Sequence, residues 1–372
     1  MKLDILAVSS ALLGFVAGET RLTGDILQGY PVIENLDITD VPANTISRYW
    51  ISAAQAQGGG VSYFLPIFVA RGSNDSIESG RRLSLGGSIH GDELNGVAVV
   101  QRVFRELNES GIVQGGDFNG TVIGLPTQNP SGNVNNQRQF FSSSSNGFFY
   151  DLNRFFPGES IADGGDIVGS YVSTIWNNVW GNGSNVNIAV DFHTLSTGSI
   201  GPLWAYADYR LDGVQRLAEL AQPDIIKIDP GQEGTIETTW VDSDVPAITL
   251  EIGPANNWNQ TLISRAVDFT FRLMDDLRMT SGGTPQVDLS NTYRATNFSD
   301  VYSSYSGWVE MYISPLEDVE EGQSVGTVYN SWGDVLERLV SAVTGRVLQV
   351  QVDPAIEQGS SVASIVYNET MS

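Results

Sequence analysis

From Arg82 to Leu277 the sequence alternates short apolar runs with segments of helical periodicity, and this order leaves few folds open. Arg82-Leu-Ser-Leu-Gly-Gly-Ser-Ile-His90, Gly120–Leu125, Asn187–His193, Gly201–Ala207 and Ala247–Ile252 read as strands. Between them Val97, Val100, Phe104 and Leu107 recur at i, i+3, i+7 and i+10, which predicts a helix. Ile167–Trp180, Val214–Ala221 and Ile263–Leu277 read the same way. Alternation of this kind builds an α/β sheet with helices on both faces. Tyr63–Val69 adds β character ahead of it. The polar stretch from Asn129 to Asn146 has no period, and loops of that length carry function or stay disordered.

The pattern changes near Ser281-Gly-Gly-Thr-Pro285, which reads as a linker. Beyond it two segments resemble each other. One runs from Gly307-Trp-Val309 through Pro315 to Gly322-Gln-Ser-Val325 and Val328. The other runs from Gly345-Arg-Val347 through Pro354 to Gly359-Ser-Ser-Val362 and Ile365. Two strand–turn–strand units predict a small β domain, a barrel-sandwich of two halves. Such a shape suits a biotinyl or lipoyl carrier, but a carrier needs a lysine at its hairpin tip and none follows Lys227.

At the other end, Met1-Lys2 and the apolar run Ile5–Ala17 read as a secretory signal peptide cut after Gly18. Asn74, Asn108, Asn119, Asn182, Asn259, Asn297 and Asn368 head glycosylation triplets, so a secreted glycoprotein is expected. No later run is long and apolar enough to span a bilayer. The expected division is a leader over 1–18, a main domain over 19–280 and a β domain over 281–372.

Composition narrows the chemistry. Asp and Glu number 43 against 19 Lys and Arg, a net charge of −24, which repels phosphate backbones and argues against nucleic-acid partners. There is no cysteine, hence no disulfide, thiolate nucleophile or Cys-based metal site. Only two histidines occur, His90 and His193, and both close predicted strands, where α/β sheets gather ligands. Glu93 stands three residues after His90, where strand turns to helix, so one turn brings imidazole and carboxylate together. With His193 this makes a His₂Glu set with one open position, the composition of a catalytic zinc site. Asp92 is the rival carboxylate. Asp191, two residues before His193, faces the same side of its strand, either orienting the imidazole or capping a turn.

These residues carry a family resemblance. Gly87-Ser-Ile-His-Gly-Asp-Glu-Leu-Asn-Gly96 resembles the first metal motif of the succinylglutamate desuccinylase/aspartoacylase family, whose fold is related to the zinc carboxypeptidases. Asp191-Phe-His-Thr194 resembles its second. Asp151-Leu-Asn-Arg-Phe-Phe-Pro-Gly158 is similar to its substrate-binding signature, and Asn129-Pro130 with Arg138 resembles a further piece. Thr249-Leu-Glu-Ile-Gly253 is similar to the strand carrying the catalytic glutamate. The motifs stand in family order over about residues 86–253.

The resemblance implies a zinc carboxypeptidase-like mixed sheet flanked by helices, with the C-terminal β domain appended. It implies one zinc ion per chain on His90, Glu93 and His193, Glu251 as general base and acid, and Arg138 at the oxyanion, although Gln139–Tyr150 expands its loop. Asn153 and Arg154 are expected to hold a substrate carboxylate, Arg154 by a bidentate fork, with Asp151 supporting the loop. The expected activity is hydrolysis of an amide bond near a carboxylate, on an N-acyl amino acid or small peptide. A metallocarboxypeptidase and a noncatalytic extracellular binding protein are the alternatives. The charge of −24 should repel dianionic substrates at long range.

Overall fold

A computed structural model of the chain describes residues 19–57, 61–142 and 149–369. The expected leader and the centre of the Asn129–Asn146 stretch lie outside the described residues.

Four strands open the described chain: β1 (Arg21–Leu27), β2 (Tyr30–Asn35), β3 (Thr45–Gln57) and β4 (Val61–Arg71). After the short helix α1 (Ser76–Ser79), β5 (Arg81–Gly87) leads through the turn bearing His90 to α2 (Asn95–Ser110). Then come β6 (Gly120–Leu125), the one-turn helix α3 (Pro130–Asn133) and the small pair β7 (Phe140–Phe141) and β8 (Phe149–Tyr150). The helix α4 (Ile167–Ser173) runs on as a π-helical turn over Thr174–Val179, then β9 (Ile188–His193), β10 (Ser199–Ile200) and β11 (Leu203–Ala207) follow. The remaining elements of this part are α5 (Val214–Ala221), β12 (Ile225–Ile228), α6 (Ile236–Asp242), β13 (Ala247–Ile252), α7 (Gln260–Asp276) and β14 (Tyr293–Ala295).

Eleven of these strands form one mixed sheet in the order β1-β2-β3-β4-β6-β5-β9-β13-β11-β12-β14. At its centre β6, β5, β9 and β13 are parallel. Their side chains are buried on both faces, and this is why they read as unbroken apolar runs rather than alternations. The packed face of α2 is Ala98, Val99, Val100, Val103, Phe104 and Leu107; Val97 is half-buried. The helix begins only at Asn95, so Glu93 belongs to the turn before it rather than to its first turn.

Beyond β14 lie β15 (Asn297–Tyr302), β16 (Gly307–Met311), β17 (Asp318–Val319), β18 (Ser324–Tyr329), β19 (Val335–Val340), β20 (Gly345–Gln351), β21 (Ala355–Ile356) and β22 (Ser361–Tyr367). The sequence repeat maps β16, β17 and β18 onto β20, β21 and β22. β16 pairs with β18 and β20 with β22, while each half lends its short strand to the other, β17 to β20 and β21 to β16. Two sheets result, enclosing Val309, Val325, Val328, Val347, Val362 and Ile365. This unit is joined to the large sheet. β10, just after His193, pairs with β20, and Leu195, Trp204 and Ile225 pack on Leu348 and Val366. Among the described residues no helix is long and apolar enough to cross a membrane.

Candidate metal centre

Three adjacent parallel strands deliver the site. β5 ends three residues before His90, β9 ends at His193, and β13 carries Glu251 in register opposite His193. Glu93 folds back beneath His90 through a turn closed by its own amide on the His90 carbonyl, 3.3 Å.

The expected trio comes together. His90 Nδ1 lies 2.8 Å from Glu93 Oε1, and His193 Nδ1 lies 2.8 Å from Glu93 Oε2. One ligand atom from each residue falls within 4.8 Å of the others, and all three side chains are buried. The far nitrogens are anchored: His90 Nε2 lies 2.9 Å from Asp151 Oδ1, and His193 Nε2 lies 2.6 Å from Asp191 Oδ2. Anchored this way, both Nδ1 atoms point at one spot beside Glu93, the arrangement a tetrahedral cation with N and O ligands requires. Asp92 is turned elsewhere, its Oδ2 accepting from the Thr197 hydroxyl at 2.7 Å, so Glu93 is the carboxylate of the set. Asp191 orients an imidazole rather than capping a turn.

Charge in this pocket is strongly coupled. Burial opposes ionisation of Glu93, but the two imidazoles outweigh it and hold its carboxyl far below the usual range. Burial would push His193 down, yet Asp191 and Glu93 push it well above its ordinary value. A cation at this spot therefore competes with a proton on His193.

Glu251 is pushed up to about 8, first by burial and also by the charges of Glu93 and Asp191, against the pull of His193 and Arg138. Its Oε2 is buried with no hydrogen-bond partner among the described residues. Arg138 donates to Glu93 Oε1 at 2.9 Å, to Ser196 Oγ at 3.0 Å and to Asp151 Oδ2 at 3.0 Å. Its backbone is tied to the His90 turn, since the Arg138 carbonyl accepts from the Gly91 amide. Asn129 caps α3 through the Gly132 amide and donates to the same carbonyl. Arg138 thus reaches the centre.

Asn153 and Arg154 line the same cavity, of about 400 Å³. Asn153 Oδ1 accepts from the Ile236 amide at 2.8 Å, so Asn153 joins the 151–156 segment to the start of α6. Arg154 donates to the Asn153 carbonyl, and its guanidinium remains partly exposed. Asp151 does more than support its loop, because it holds both His90 and Arg138. Sequence reasoning did not find Tyr206, Glu237, Phe298 or Gln349, which also line the cavity. No local motif marks them; they arrive from β11, α6 and the C-terminal unit by tertiary packing.

Residues 79–277 match the succinylglutamate desuccinylase/aspartoacylase catalytic domain. The chain belongs to that family. Among solved structures, the family's fold recurs in the succinylglutamate desuccinylase/aspartoacylase from Rhodobacter sphaeroides, at 17% identity and a TM-score of 0.72, over 90% of this chain and 100% of that one. A succinylglutamate desuccinylase from a Silicibacter species is 20% identical with a TM-score of 0.68, over 88% and 98% of the two chains. The product-bound ectoine utilization protein EutE (DoeB) from Ruegeria pomeroyi is 18% identical with a TM-score of 0.69, over 86% and 94%. Among curated proteins none matches the sequence.

Proposed function

We propose that the chain is a secreted, zinc-dependent deacylase that hydrolyses the amide bond of an N-acyl amino acid beside its carboxylate. The observation that carries this reading is Glu251, buried and unpartnered in one cavity with His90, Glu93 and His193. A zinc ion on that trio would act as a Lewis acid, worth several kcal/mol of charge stabilisation. Glu251 accepts the proton of the attacking water and donates it to the leaving nitrogen, so amide and water become carboxylic acid and amine. Arg138 faces the negative charge that develops on the carbonyl oxygen. Arg154 pairs with the substrate carboxylate, and Asn153 holds the segment that presents it.

The cavity is small and walled on one side by Phe298 and Gln349 of the C-terminal unit, which favours an acyl amino acid over a peptide. Secretion rests on the apolar run Ile5–Ala17 and on the glycosylation triplets, of which Asn74, Asn108, Asn119, Asn182 and Asn368 are exposed. The test is a hydrolysis screen of zinc-loaded protein against N-acyl amino acids and peptides, with a chelated control. Chelator-sensitive release of amine from acyl amino acids is the expected result. Cleavage of peptides alone would make the protein a carboxypeptidase, and no turnover of either would leave a binding protein.

A further inference from the structure

The C-terminal unit turns one of its two sheets toward the catalytic part. β10, β20, β22 and β15 carry Leu348, Val366 and Phe298, which meet Trp204, Ile225 and the cavity. The other sheet, in the order β19-β18-β16-β21, closes the core of the unit with Val309, Val328 and Leu339 on its inner face. Its outer face is exposed at Trp308, Glu310, Tyr312, Val335 and Arg338.

Strand register arranges that outer face in two rows, because opposed residues in an antiparallel pair leave the sheet on the same side. Trp308 stands opposite Ala355 and Tyr329, and Tyr329 opposite Val335, so an apolar row crosses all four strands. Glu310, Thr327 and Arg338 form a polar row beside it. The Tyr329 hydroxyl donates to Glu310 Oε2 at 3.2 Å, and the Tyr312 hydroxyl to Thr327 Oγ1 at 2.7 Å. Trp308 is nevertheless 49% exposed. The hairpin that joins β18 to β19, next to Tyr329, carries Trp332, which is 87% exposed. Its turn is held, since Asn330 Oδ1 accepts from the Trp332 and Asp334 amides at 2.9 Å each. Large rings grouped in water on rigid elements mark a contact surface, whereas single exposed rings do not.

Charge and shape select the partner. Residues 281–372 hold twelve Asp and Glu against three Arg and no Lys. Such a surface repels anionic polymers and acidic membranes. A cation beside the rings gains both from Glu310 and Asp334 and from the faces of Trp and Tyr. The rows cross a flat sheet, with neighbouring strands about 4.8 Å apart. A pyranose ring is apolar on its C–H faces and polar at its edge. A chain of such rings can lay its faces along Trp308, Tyr329 and Trp332 and its hydroxyls along Glu310 and Arg338. An amino sugar adds the ammonium groups that the acids attract. A basic polypeptide supplies the cations but not the succession of flat faces.

We propose that the outer face of β16, β18 and β19 is a docking site for a polymer of amino sugars, glucosamine units with free amines. This needs no part of the deacylase reading.

The experiment is calorimetric titration of the full chain with a glucosamine hexamer, at mildly acidic pH so that its amines are protonated. The fully N-acetylated hexamer and hexalysine are titrated alongside. The glucosamine hexamer is expected to bind about 10-fold more tightly than either. Trp308→Ala and Trp332→Ala should each weaken it about 5–30-fold, with metal content unchanged. Trp332 lies on an exposed turn, so Trp332→Ala should also keep the thermal unfolding of wild type and decides the matter if Trp308→Ala fails to fold. No binding of the glucosamine hexamer, equal or tighter binding of the acetylated hexamer or of hexalysine, or an affinity unaltered in Trp332→Ala overturns the proposal. So does a dimer in sedimentation that Trp332→Ala dissociates, which would give the face to a second copy of the chain.

Discussion

Glu251 and Asp191 show how single side chains set the chemistry. In the proposed reaction Glu251 holds a proton for part of the cycle, and its burial among like charges favours the protonated form. Glutamine has almost the same volume but cannot shuttle a proton. Glu251→Gln is expected to keep the fold and the metal and to lose about 10²–10⁴ in kcat, measured by single turnover with metal content determined alongside. Near wild-type turnover would remove Glu251 from the mechanism. Asp191 acts through His193, which it holds at 2.6 Å. Asp191→Asn keeps the shape but weakens that hold, and zinc affinity should fall about 10–100-fold in competition with a chromogenic chelator. Unchanged affinity would show that packing alone orients the imidazole.

The metal turn and the arginine loop depend on each other at the level of elements. Gly91 lies so close to α3 that a Cβ there would come within 2.2 Å of the Gly132 backbone. The same glycine donates to the Arg138 carbonyl, so the contact that demands glycine also sets the height of Arg138 over Glu93. Gly91→Ala must push α3 and the start of the arginine loop away. A loss of about 1–3 kcal/mol in urea unfolding is expected, as for overpacking in a filled interior, together with a fall in kcat. Loss of stability with full activity would mean that Arg138 follows the centre independently of α3.

The molecule as a whole carries a pH signature from its cavity. Glu237 keeps its proton in the folded state up to about pH 8, whereas in the unfolded chain it loses it near the ordinary value of 4.5. Between those limits the folded state binds more protons than the unfolded one, so stability falls as pH rises. The contribution is at most about 1.4 kcal/mol per pH unit. In chelated protein, unfolding free energies from pH 5 to 8 should decline, and Glu237→Gln should show a shallower decline than wild type. Parallel slopes in the two proteins would mean that Glu237 titrates normally. The C-terminal unit belongs to the same whole: Leu348 and Val366 cover Trp204 and Ile225, while Phe298 and Gln349 close the cavity.

Local pattern determined much of this protein. Unbroken apolar runs marked β5, β6, β9 and β13 because strands buried on both faces carry no polar alternation, and the repeat after residue 300 marked two matching β halves. With only two histidines in the chain, each closing an apolar run, and one glutamate three residues from the first, the candidate metal trio is legible in the sequence by itself. Tertiary structure decided the rest. Only the order β5-β9-β13 places Glu251 beside His193, and only folding shows Asp92 turned to Thr197 and Asp151 holding His90 across 61 residues. The exchange of β17 and β21 between the halves, and the delivery of Glu237, Phe298 and Gln349 to the cavity, follow no local rule. Periodicity records whether a residue is buried, whereas the identity of its neighbours depends on contacts between segments far apart in the chain.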